Sequence, residues 1–196
     1  RQVGRALNGL ERRGLVWKSG LAGVGLISLG MLLSGLGYRG RLGERYNPIN
    51  HFVSELGEVG VAPLAIAFNL GLLLGGLCLI VFMVSLARRI GGWQGVLFGV
   101  IGVICGVSGT MVGIFPMNNL QPHAFWAMNF FNGWLWVMLL FSLIALFGKR
   151  GLSRWLALPG LFSTLAFTAF KLFPTTAAEA VVSLDAVDVM LSTPRA

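Results

Sequence analysis

His51 and Glu55 stand four residues apart, one helical turn, in a segment reading Asn47-Pro48-Ile49-Asn50-His51-Phe52-Val53-Ser54-Glu55-Leu56-Gly57. The only other histidine, His123, follows a second polar stretch, Phe115-Pro116-Met117-Asn118-Asn119-Leu120-Gln121-Pro122. Imidazole and carboxylate together suit zinc and similar ions, so His51, Glu55 and His123 could form a three-ligand site. Alternatively, Glu55 orients an imidazole as a general base toward a lipid headgroup ester. His51, Ser54, Glu55 and His123 are therefore the catalytic candidates, with no metal assigned to them. The plainer reading is that His51, Ser54, Glu55 and Glu58 form the wet face of an interfacial helix, while His123 caps the start of the next one. G-x-S-x-G, Walker, H-E-x-x-H and C-x-x-C patterns are all absent.

The elements that position these residues follow from the charge distribution. No Asp, Glu, Lys or Arg occurs between Arg89 and Lys149, and charged residues make up 11% of the chain against 56% apolar, where soluble domains carry roughly a quarter charged. The solvent around such a chain is lipid. A transmembrane helix needs about 20 apolar residues, and five segments qualify: 19–38, 61–86, 93–115, 125–147 and 155–173. An unpaired backbone group in lipid is costly, and continuous apolar runs select helices over a barrel. The expected fold is an all-α integral membrane bundle of five transmembrane helices with amphipathic interfacial helices.

Three regions are expected. Residues 1–14 place Val3, Ala6, Leu7 and Leu10 on one face, which predicts a basic amphipathic helix ended by Gly14. Its Arg1, Arg5, Arg12 and Arg13 would bind anionic lipid at about 1 kcal/mol each. Residues 15–174 form the bundle, with a short outer helix at 47–57 that Asn47 caps, Pro48 begins and Gly57 ends; its apolar face is Ile49, Phe52, Val53 and Leu56. In the tail, 175–196, Thr176-x-x-Glu179 is a capping box, and 177–191 reads as an acidic amphipathic helix.

Arg1, Arg5, Arg12, Arg13, Lys18, Arg88, Arg89, Lys149, Arg150 and Arg154 fall on one side of the spans, and Arg39, Arg41, Arg45, Lys171 and Arg195 on the other. Cytoplasmic loops hold the excess of Lys and Arg, which predicts a cytoplasmic N-terminus in a cell membrane. The net charge of +8 thus reports topology, and nucleic acid is not an expected partner. Gly95, Gly99, Gly102, Gly106, Gly109 and Gly113 keep one stripe of the third span bare for helix packing, and Gly71 and Gly75 make a similar pair on the second. Asn69, Asn129, Asn132 and Thr168 are expected to join helices. Charged groups are missing within the first four spans, which disfavours a pump or ion-coupled transporter. Cys78 and Cys105 read as small core residues.

The loop 47–57 with its S-E-L-G turn, together with Gly113-Ile114-Phe115-Pro116 and the following His123, resembles the bacterial multi-pass membrane family known as domain of unknown function 998. The likeness runs from the first span onward and implies a fold without a reaction. Ser54, Glu55 and His123 are the positions it carries over, and His51 is particular to this chain. Members look like six-span proteins, so a sixth helix is expected beyond Ala196 or has been lost. The favoured function is an accessory or structural subunit packing with membrane lipids or other membrane subunits. The rival is a membrane-embedded lipid-modifying hydrolase, metal-dependent or not, working on the outer side. The sequence names no cofactor.

Overall fold

Lipid offers no partner for a bare N–H or C=O, so each apolar run satisfies its backbone within itself. The computed structural model describes residues 2–148 and 152–172, with the backbone alone described in 2–13 and 170–172. Five α-helices run in chain order: α1 Gln2–Gly37, α2 Ala65–Ile90, α3 Gly92–Ile114, α4 Leu120–Phe147 and α5 Ala157–Leu172. Among the described residues there is no strand. Each helix packs on the next, giving an up-and-down bundle with short connections. One end, the cap end, gathers the 38–64 connection and the α3–α4 loop; the other holds the α2–α3 turn and the start of α5.

Four helices carry a stretch long and apolar enough to cross a bilayer: Gly14–Gly37 within α1, and α2, α3 and α4 in full. The chain is thus an all-α helical membrane bundle. The fifth expected span, 155–173, opens differently from expectation. Residues Arg154–Leu156 form a 3₁₀ turn, and the described part of α5 adds 16 residues after it. Its Pro159 lies in the first turn, where no N–H is required.

The N-terminal region also differs from expectation. Gly14 does not stop a separate helix, because α1 continues unbroken from Gln2 to Gly37. A mid-helix glycine costs about 1 kcal/mol relative to alanine, less than leaving backbone groups unpaired at a membrane surface. The side chains of Arg5, Arg12 and Arg13, the whole of Arg1 and the predicted tail helix at 177–191 lie outside the described residues.

Glycines let the helices approach closely, at several points down to backbone. A methyl placed on Gly30 of α1 would come 2.6 Å from the Ala67 carbonyl oxygen, and one on Gly71 of α2 would come 2.8 Å from that of Leu26. Gly23 and Gly75 approach in the same seam. On α3 the glycine stripe mostly faces α2. Gly102 lies against Met83, Gly106 against Ile80 and Gly113 against the Asn69 carbonyl oxygen, whereas Gly109 faces Phe130 of α4. Between these seams, Met83, Ile90, Phe98, Val137 and Ile144 form the buried core of α2, α3 and α4. Gly91 and Gly92, at φ 65° and 60°, turn α2 directly into α3 through a left-handed conformation that a side chain would resist.

Candidate functional site

The punctuation at Asn47 and Pro48 does produce a helical turn, but only one. The Asn47 carbonyl oxygen accepts from the N–H groups of Asn50 and His51, each at 3.0 Å, and its side-chain oxygen accepts from Ile49 N–H at 3.0 Å. Phe52 is then extended, at φ −70° and ψ 145°, and a 3₁₀ turn occupies Val53–Gly57. The expected continuous helix over 47–57 is therefore broken at Phe52, and its faces do not hold. Ile49 is 85% exposed while Leu56 is 0% exposed, and Glu58 from the supposed wet face is buried. A break lets the polar side chains turn inward, toward the end of α1.

Each residue of the S-E-L-G turn is engaged by a different part of the bundle. Ser54 Oγ lies 3.6 Å from Met117 Sδ in the α3–α4 loop. Glu55 accepts Phe52 N–H through Oε1 at 2.7 Å and the Tyr38 hydroxyl through Oε2 at 3.0 Å. The Leu56 carbonyl oxygen accepts from Ser34 Oγ of α1 at 2.6 Å, while its side chain fills a core with Tyr38, Ala62, Ala65 and Phe68. The Gly57 carbonyl oxygen accepts from Asn69 Nδ2 of α2 at 2.9 Å, and a methyl on Gly57 would come 2.8 Å from the Phe68 ring. The turn is a keystone wedged between α1, α2 and the α3–α4 loop.

A second ring of groups surrounds it. His51 packs edge-on to Tyr38 at 5.4 Å between centroids, and Tyr46 lies 5.8 Å away. His51 Nε2 faces Glu44 Oε1 at a loose 3.5 Å. Its Nδ1 lies 3.2 Å from both the N–H and the carbonyl oxygen of Asn47. With Nε2 donating to Glu44, Nδ1 accepts the Asn47 N–H, so neither nitrogen is left to take a proton from a substrate. Arg41 Nη2 pairs with Glu58 Oε1 at 2.6 Å. Asn118 donates to the Val59 carbonyl oxygen at 2.8 Å and accepts the Val59 N–H at 2.7 Å, a two-way amide clasp joining both loops. The Glu44 carboxyl is held below its ordinary range, chiefly by its own backbone N–H and then by His51 and Leu42 N–H, against a smaller opposing effect of desolvation. Burial, and then the Glu55 carboxylate, keep the phenols of Tyr38 and Tyr46 protonated beyond their usual range.

His123 stands apart. Buried in the first turn of α4, its Nδ1 donates to the Phe115 carbonyl oxygen at 2.8 Å. Pro116 stops α3 there, leaving a terminal carbonyl that an imidazole donor satisfies. The Phe-Pro-to-His spacing is thus a helix-end closure. The three-ligand set of His51, Glu55 and His123 does not assemble: among the described residues no group of three His, Cys, Asp or Glu side chains could hold a metal ion. Of the residues expected to join helices, Asn129 and Thr168 bond carbonyls of their own helices, whereas Asn69 crosses to another element. Sequence reasoning missed Tyr38, Ser34 and Glu44. The first two lie at the apolar end of α1, where a lone serine and tyrosine give little signal, and Glu44 joins His51 through an aperiodic turn at Gly43, φ 79°.

An up-and-down bundle of apolar helices closed by a bonded polar cap defines a multi-pass helical membrane protein. The profile of the family described as "Protein of unknown function (DUF998)" matches residues 21–187, and the chain belongs to that family. No curated protein and no solved structure gives a match.

Proposed function

We propose that this protein is a non-enzymatic accessory or structural subunit of a membrane complex, with the N-terminus cytoplasmic and the cap on the outer side. The observation that carries this reading is the way the cap spends its polar groups. Ser54, Glu55, His51 and His123, the residues best suited to chemistry, are each bonded to the chain itself, and no buried side-chain nitrogen or oxygen among those described lacks a partner. Each of these side chains thus has a structural task within the chain that requires no substrate.

The same cap presents Leu42, 94% exposed, and Ile49, 85% exposed, on a loop beyond the ends of the spans. Bulky apolar tips held out by a rigid support suit docking. The orientation rests on the excess of Lys and Arg at the opposite end. Purification in mild detergent followed by mass spectrometry is the test. The expected result is a stoichiometric partner that the double substitution Leu42→Asn, Ile49→Asn releases. Recovery of the protein alone, with cleavage of headgroup esters by the reconstituted protein that His51→Ala abolishes, would overturn the proposal in favour of the hydrolase.

A further inference from the structure

At the end of the bundle opposite the cap, a groove of about 400 Å³ runs along the outer surface between α2 and α3. Its walls are Val84 of α2 and Val96, Val100, Val103 and Ile104 of α3, and one polar side chain, Arg88, stands beside it. The floor is low because Gly95 and Gly99 seat directly on Ala87; a methyl on Gly99 would come 2.8 Å from the Ala87 Cβ. Val96, Val100 and Ile104 are more than half exposed, so the groove opens sideways, where the bilayer lies.

We propose that this groove holds one acyl chain of an anionic phospholipid, with Arg88 on the phosphate. Length supports the assignment. From Gly95 to Ile104 the groove follows α3 for roughly 13 Å at 1.5 Å per residue, close to half of the roughly 30 Å hydrocarbon layer, which is the depth of one leaflet. Charge supports it as well. Arg88 occupies the last turn of α2, at the height of the headgroups, and its fork of donors matches a phosphate's oxygens while its stem lies along the apolar wall. A zwitterionic lipid offers the same phosphate but brings its own ammonium beside it, so a guanidinium at the mouth of the slot favours an anionic lipid over a zwitterionic one. Arg89, one residue on, does not line the groove and supplies a matched control.

The test is native mass spectrometry of the full chain reconstituted in vesicles of equal phosphatidylglycerol and phosphatidylcholine. The expected result is retained phosphatidylglycerol in excess by roughly fivefold, the factor one basic residue supplies at a membrane surface. Arg88→Gln should abolish that excess, Arg88→Lys should keep most of it and Arg89→Gln should leave it unchanged, all three being changes at exposed positions. Val100→Phe, which fills the slot, should lower retention of both lipids. Equal retention of the two lipids by the unaltered protein would overturn the proposal. So would identical behaviour of the Arg88→Gln and Arg89→Gln proteins, or a dimer that Val100→Phe dissociates. None of these readouts depends on the partner expected at the cap, so the two proposals fail separately.

Discussion

The α1–α2 seam and the cap hold the same two helices together by opposite means. In the seam, Gly30 and Gly71 bring backbone against backbone and Gly23 and Gly75 seat against Cys78 and Ile27, because lipid offers no hydrophobic gain and only close approach yields packing energy. In the cap, a few residues further along the same helices, Ser34, Tyr38 and Asn69 reach out to the 3₁₀ turn with hydrogen bonds. The seam is sensitive to volume and indifferent to protons. The cap should tolerate small changes of shape at its rim and respond to pH.

The largest effect is expected at Leu56, the apolar plug of the cap. Leu56→Ala should lower stability in detergent by about 3 to 4 kcal/mol, measured by thermal unfolding, since the side chain is wholly enclosed and its cavity cannot collapse onto rigid helix ends. Gly71→Ala should cost about 2 kcal/mol, because backbone faces it on the α1 side and cannot yield. A milder loss for Leu56→Ala than for Gly71→Ala would reverse the view that the cap is the keystone. His123→Ala strands the Phe115 carbonyl and should cost about 1 to 2 kcal/mol, with an asparagine at that position restoring part of it.

The smallest and most discriminating difference concerns protons. Glu44 has a folded value below its ordinary 4.5, so its contribution is complete above that pH and is lost as pH falls toward the folded value. Tyr38 and Tyr46 have folded values above their ordinary 10.0; their contribution is complete below pH 10 and is lost as pH climbs beyond it. Absorbance near 295 nm should therefore show little phenolate at pH 10 in the folded protein, whose only tyrosines are these two. Unfolding midpoints should drop at both acid and alkaline extremes, with Tyr38→Phe flattening the alkaline limb and Gly71→Ala leaving the profile's shape unchanged.

Much of the fold is legible in the sequence because lipid is a strict solvent. Four spans follow from length and apolarity alone, and the glycine period of α3 marks a packing face. The fifth span, 155–173, is harder to read, since composition does not reveal that Arg154–Leu156 turn as 3₁₀ before α5 begins. The candidate site is legible in its residues and illegible in its geometry. Asn47, Pro48 and Gly57 are sound helix punctuation, yet tertiary bonds from Tyr38, Ser34 and Asn69 favour a broken chain over the helix that local propensity suggests. A histidine that closes a helix end and a histidine that serves catalysis look identical in a string of letters. What separates them is the Phe115 carbonyl, brought within reach only once α3 and α4 are antiparallel.

The two-glycine turn at Gly91 and Gly92 leaves almost no chain between α2 and α3. A nascent polypeptide therefore has no loop to hand across the bilayer after α2 has settled, and α3 cannot wait outside. The pair must be threaded as a single hairpin, so that lengthening this turn is expected to disturb biogenesis before it disturbs the finished protein.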